Sequence, residues 1–113
     1  MSYRIGQIAE QKACEFLLSQ GLQLITRNFR CQYGELDLVM QQLPYLVIVE
    51  VRYRRYAYFG GAIPSITLNK RNKLIATTLY YQQLHPCDLP IRFDVIGYDG
   101  QNCQWIMNAF QIE

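Results

Sequence analysis

The segment Leu46-Val47-Ile48-Val49-Glu50-Val51 constrains this chain more than any other. It is β-branched and nearly continuous in apolarity, which is the pattern of a strand covered on both faces. Such a strand lies at the centre of a sheet with helices packed against it. Yet it carries Glu50, and a lone carboxylate in a central strand is costly. Glu50 therefore needs a positive partner, either a side chain or a metal ion. Arg52, two residues further on, points to the same face.

The flanking sequence supplies the rest of that architecture. Ile5, Ala9, Ala13, Phe16 and Leu17 recur at helical spacing, so residues 4–20 read as a helix with Gly21 as its stop. Residues 22–30 read as a strand and Gln32-Tyr33-Gly34 as a turn. In residues 35–40 acids alternate with apolar side chains, as in a half-exposed strand. Pro44 turns the chain back into the central strand. Thr67 can cap a second helix through about Leu84, with Leu68, Leu74, Ile75 and Leu79 facing inward. His85-Pro86 breaks it, and His85 is expected at the surface or as a helix-end cap. Residues 91–98 form another strand, Asp99-Gly100 a hairpin turn, and Cys103 to Met107 a returning strand. Tyr80, Tyr81 and Trp105 are expected in the core or an interface. The order α-β-β-β-α-β-β predicts an α/β fold, a mixed sheet flanked by helices, as one domain over residues 1–113.

A hairpin between the second and third strands brings Asp37 beside Glu50. Glu35 lies two residues from Asp37, on the same face. Adjacent carboxylates repel, and a divalent cation is the usual remedy; a buried ion pair with arginine is the alternative that needs no ligand. Glu10 sits on the first helix at the edge of its apolar stripe, from where it can reach a carboxylate cluster over the sheet.

Charge is unevenly distributed. The net charge is +2, but the stretch from Val51 to Cys87 holds six bases and no acid, while the remainder holds five bases and nine acids, hence −4. A basic middle segment suits a polyanion. Arg52-Tyr53-Arg54-Arg55-Tyr56 interleaves bases with aromatics, a composition that can grip phosphates and stack on unpaired bases. Lys70, Arg71 and Lys73 extend the basic surface onto the second helix.

Other classes are excluded or disfavoured. The longest apolar runs fall far short of the ~20 residues that cross a membrane, so no membrane association is expected. The N-terminus lacks the apolar stretch of a signal peptide. Cys14, Cys31, Cys87 and Cys103 show no CxxC spacing and are expected as free, mostly buried thiols, which points to the cytoplasm.

The set Gly34-Glu35-Leu36-Asp37-Leu38-Val39 followed by Val49-Glu50-Val51-Arg52-Tyr53-Arg54 resembles the YraN-type family of small uncharacterised bacterial proteins. The leading Gly6…Ala9-Glu10…Ala13…Leu17 helix, Arg27-Asn28-Phe29-Arg30, Phe59-Gly60, Lys70 and Arg92-Phe93-Asp94-Val95 extend the likeness over nearly the whole chain. The resemblance implies a restriction-endonuclease-like core of the PD-(D/E)XK superfamily, related in fold to Holliday-junction resolvases. It implies that Asp37, Glu50 and the Val51 carbonyl hold Mg²⁺ or Mn²⁺. Glu10 would be the helix acid, and Asp37 with Glu50-x-Arg52 the catalytic signature. The superfamily motif ends in lysine where this chain has Arg52. Arginine keeps the charge and a phosphate contact, but with a pKa above ~12 it cannot act as a base.

Three readings follow. One is a metal-dependent endonuclease acting on structured DNA. Another is a nuclease-like module that binds nucleic acid without cutting, with Tyr53, Arg54, Arg55, Tyr56, Lys70, Arg71 and Lys73 as its contact surface. The last is a protein-interaction domain whose charges are structural. No base-reading motif is visible, and a homodimer is left open.

Overall fold

The computed structural model describes residues 2–54, 66–99 and 102–112, with the side chains of residues 2–5 and 54 excepted. The elements are α1 (Ser2–Ser19), β1 (Gln23–Cys31), β2 (Gly34–Gln42), β3 (Tyr45–Arg54), α2 (Leu68–Leu84), β4 (Ile91–Asp99) and β5 (Asn102–Phe110). This is the expected α-β-β-β-α-β-β order. The five strands form one mixed sheet in the order β1-β2-β3-β4-β5. β3 is central, as its apolar run requires. It pairs antiparallel with β2 and parallel with β4, the crossover carrying α2.

The two helices lie on opposite faces of the sheet. Ala9, Ala13, Cys14 and Leu17 of α1 pack on Leu38, Met40, Val47, Val49, Ile96 and Tyr98. Leu74 and Tyr81 of α2 pack on Leu36, Val39, Leu46, Ile48 and Phe93. Glycine ends α1 by a specific geometry. Gly21 has φ 96°, Leu22 N–H donates to the Leu17 carbonyl and Gly21 N–H to that of Leu18. That is a Schellman arrangement, which closes off the last orphan carbonyls. Thr67 caps α2 as expected, its hydroxyl accepting from Lys70 N–H at 3.1 Å, and His85 caps the other end.

Three expectations need correction. Leu68 and Leu79 are 69% and 46% exposed, and the inward stripe of α2 is instead Leu74, Thr77, Thr78 and Tyr81. The Thr77 and Thr78 hydroxyls donate to carbonyls one turn back, so they enter the core with their polarity satisfied. The cysteines are free, but only Cys14 is buried, and Cys103 is exposed on β5. The regular alternation expected of β2 also fails. Leu36 packs in the α2 layer and Leu38 in the α1 layer, although a regular strand would place both on one face. Opposite Asp37, between the Arg27–Leu38 and Phe29–Leu36 pairs of β1, Asn28 has φ 57°, a left-handed conformation that asparagine tolerates. The change of face thus falls at Asp37.

At the start of β4, Arg92 and Asp94 form a buried pair. Arg92 Nε and Nη2 donate to the two oxygens of Asp94 at 2.9 and 2.8 Å, and Trp105 Nε1 and Asn108 N–H donate to them at 3.0 Å each. Every strong donor that the Asp94 charge needs is therefore present. Removing the carboxylate leaves the Arg92 guanidinium buried and unpaired. Asp94→Ala is expected to destabilise the fold by about 3–5 kcal/mol, measured by urea unfolding. A loss below about 1 kcal/mol, the size of an exposed pair, would show that Arg92 finds water instead.

Candidate active site

β2 and β3 pair in register from Gln42↔Tyr45 to Leu38↔Val49, and the ladder stops there. The next position on each strand is an acid, Asp37 and Glu50. In place of the ladder, Val51 N–H donates to Asp37 Oδ2 at 2.8 Å. The N–H and C=O of one strand residue point to the same side, so the Val51 carbonyl opens onto the same gap. The end of the β2–β3 ladder is therefore lined by two carboxylates and a main-chain oxygen.

Both helices reach this gap because it lies where β2 changes face. Even-numbered residues of β3 face α2 and odd-numbered ones face α1, as Ile48 and Val49 show. Glu50 consequently looks toward α2, and Lys70 Nζ of α2 lies 3.5 Å from Glu50 Oε2. Arg52 Nη1 approaches the same oxygen at 3.2 Å. From the other side α1 contributes Glu10, whose carboxylate comes within 4.8 Å of those of Glu35 and Asp37. Glu35 is also ion-paired to Arg30. The close approach of β2 to α2 depends on Gly34. It has φ 151°, and a Cβ there would meet Thr77 Oγ1 at 3.0 Å.

The acids crowd one another. Glu50 is 3% exposed and Asp37 is 8% exposed. Burial, and then the neighbouring Glu50 charge, pushes the Asp37 carboxyl well above the ordinary carboxylate range, and the Val51 N–H opposes this. Asp37 and Glu50 are also within hydrogen-bonding reach of each other. Burial, then the charges of Asp37 and Glu35, raises Glu10 from 4.5 to about 7, with Arg27 pulling the other way. Among the described residues, Glu50 Oε1 is a buried oxygen without a hydrogen-bond partner. Its sister oxygen lies near two cations, Arg52 and Lys70. A cation would satisfy Oε1, and the donors around it are the hard oxygens that Mg²⁺ and Mn²⁺ select. The residues present fit such an ion.

The expected residues thus separate into groups. Glu10, Asp37, Glu50, Arg52 and the Val51 main chain come together. Lys70 joins them directly. Arg71 does not; its guanidinium lies over the Phe110 ring at 5.7 Å, on the β5 side. Lys73 is exposed on α2, and Tyr53 is half-buried against the α1 layer. The Arg54 side chain, Arg55 and Tyr56 lie outside the described residues. Glu35 is the acid to which sequence reasoning assigned no role, although its spacing from Asp37 was the available signal. Arg27 and Asn28 also adjoin the site, lining with Glu10 a cavity of about 360 Å³. A larger cavity, of about 680 Å³, lies at the other end of β3 and β4 around Tyr45 and Arg92, remote from the acids.

Fold and site together define a small α/β domain, a five-stranded mixed sheet between two helices, with acids gathered where two central strands part. Comparison with known proteins places it more closely. The profile of the uncharacterised protein family UPF0102 matches residues 9–98. A UPF0102 protein of Pseudomonas putida is 49% identical over 115 aligned positions, covering 96% of this chain and 93% of the relative. Others from Nitrosococcus oceani and Coxiella burnetii are 44% and 42% identical, covering 96% and 100% of this chain and 92% and 97% of theirs. The chain belongs to the UPF0102 family, the YraN-type family that its motifs resembled.

The raised carboxyls make a pH prediction whose sign is set by linkage. Glu10 titrates near 4.5 in the unfolded chain and at about 7 in the folded one. Between those values the folded chain holds more protons, so stability falls as pH rises through that window. Asp37 acts in the same direction. Without divalent ions, the urea midpoint is expected to be higher at about pH 5 than at about pH 8, and Glu10→Gln should reduce the difference. An undiminished difference in Glu10→Gln would show that the effect arises elsewhere.

Proposed function

We propose that this protein is a nucleic-acid-binding domain whose carboxylate site holds Mg²⁺ or Mn²⁺ and cleaves phosphodiester bonds in structured DNA. The observation that carries the reading is the unpartnered Glu50 Oε1 in a gap also lined by Asp37 and the Val51 main chain. Asp37, Glu50 and the Val51 carbonyl would hold the ion, with Glu10 and Glu35 behind Asp37. Such an ion supplies a lowered water pKa and stabilisation of charge on the departing oxygen. The protein's own residues do the remainder. Arg52 and Lys70 hold Glu50 in place through its other oxygen. Val51 N–H orients Asp37. The basic and aromatic residues that follow β3 provide phosphate contacts and stacking surfaces.

Arg52 favours a second reading. Its contact with Glu50 shows a fixed cation already at the site, which suits a domain that binds nucleic acid without cutting it. Calorimetric titration and a cleavage assay separate the two. Mn²⁺ should bind the wild-type protein, and branched DNA should be cut only with the ion present. Asp37→Asn should lower both by more than the roughly 10–100-fold that loss of an outer-shell partner costs. DNA binding without Mn²⁺ binding or cleavage would select the second reading. Absence of DNA binding would discard both.

Protons and the ion compete for the same carboxylates. Mn²⁺ affinity is therefore expected to rise with pH through about 7, the value at which Glu10 is half ionised in the free protein. A flat profile across that range would exclude Glu10 from the ion's surroundings. For the contact surface, Arg54→Ala with Arg55→Ala should lower the salt dependence of DNA binding by about one unit per lost phosphate contact. An unchanged slope would place the DNA elsewhere.

A further inference from the structure

The first turn of α2 carries charges of the wrong sign for a helix. Its opening residues hold Lys70 and Arg71, with Lys73 just beyond, and the first turn contains no acid. Helix N-termini favour anions, because the unpaired N–H groups and the macrodipole are positive there. With Thr67 as cap, Lys70 stands at the position where a capping box would place glutamate. This local conflict makes α2 less stable on its own than a neutral first turn would. Local rules of this kind are broken mainly where a site requires it.

The geometry shows what Lys70 faces. Its ammonium lies 3.5 Å from Glu50 Oε2, while Arg52 Nη1 is closer to the same oxygen at 3.2 Å. Glu50 is buried, and the Lys70 side chain is 35% exposed. The lysine therefore touches the site and is still partly open to solvent. The two cations differ in kind. Arginine is a rigid planar fork suited to a fixed pair, whereas lysine is a mobile point charge with three donors. Lys70 can keep one donor on Glu50 and give another to an incoming oxygen, or swing between them.

We propose that Lys70 is the phosphate-contacting ammonium of this site, reaching it from α2 in place of a lysine at position 52. The inference rests on the phosphodiester reading above and adds which side chain meets the scissile phosphate. Arg52 then serves as a positioning residue, holding Glu50 while Lys70 takes a phosphate oxygen. A nucleic-acid backbone across the β2–β3 gap also supplies the anions that the first turn of α2 lacks. The same wrong-sign charges thus favour DNA and disfavour the free helix.

The test uses the full chain in three forms: wild type, Lys70→Met, and Lys70→Met combined with Arg52→Lys. Methionine keeps most of the stem and removes the charge. The double variant moves the ammonium back to strand β3. Binding of a fluorescent branched DNA is measured against salt with Ca²⁺ present, and cleavage of the same DNA with Mn²⁺. Urea midpoints establish that each variant is folded. Lys70→Met is expected to bind about tenfold more weakly, with the salt slope reduced by about one, and to lose cleavage. The double variant should regain cleavage. Lys70→Met with the wild-type slope and activity overturns the assignment while leaving the phosphodiester reading intact. A wild-type protein that neither binds nor cuts the DNA overturns both, and that failure is visible before any variant is made.

Discussion

The site depends on one event in the sheet, the parting of β2 from β3 at Asp37. Up to Leu38 the strands share a regular ladder; beyond it, the Asp37 carboxylate takes the Val51 N–H. A side chain has replaced a main-chain partner, so β2 is released without stranding a buried donor. The release coincides with the change of face between Leu36 and Leu38 and with the left-handed Asn28 on β1. Because the sheet changes face there, helices from both sides reach the same point. Glu10 arrives from α1 and Lys70 from α2. A regular hairpin would have kept them on opposite sides of an unbroken sheet.

Two buried carboxylates on neighbouring strands show how structure and function separate in this molecule. Asp94 and Glu50 each lie two residues from an arginine on the same strand. Asp94 is satisfied by three side-chain donors and a main-chain N–H, and nothing more can be added. Glu50 has two cations near one oxygen, and its other oxygen has no hydrogen-bond partner. A buried charge with an open coordination position is strained toward a ligand, whereas a saturated one is only part of the scaffold. The contrast sets Glu50 apart from the saturated pair that Asp94 makes with Arg92.

Electrostatics at the site is therefore a contest among alternatives. Glu10, Glu35, Asp37 and Glu50 repel one another, and the free protein relieves that repulsion by raising the proton affinity of Glu10 and Asp37. Arg30, Arg52 and Lys70 relieve it from outside. A divalent ion would relieve it from inside, releasing protons and leaving Lys70 available to an anion. Among the described residues, no helix is long and apolar enough to cross a membrane.

The element order, the central position of β3, the Thr67 cap and the glycine stop of α1 were legible in the sequence, because each follows from local rules of periodicity, capping and backbone freedom. The proximity of Asp37 and Glu50 was also legible, since a short turn admits one register for the two apolar strands that precede them. The inward face of α2 was not. Leu68 and Leu79 look apolar enough for a core, but Thr77, Thr78 and Tyr81 occupy it, because the sheet fixes which side of the helix is covered. The reach of Lys70 to Glu50 was equally hidden. It depends on the change of face within β2, on Gly34 letting α2 approach, and on where the helix that carries Lys70 begins. The sequence by itself determined which residues carry charge and which strands bury them. Only the tertiary structure decided which charges meet, because contacts between separate layers depend on how the elements pack, and that packing is a property of the whole chain.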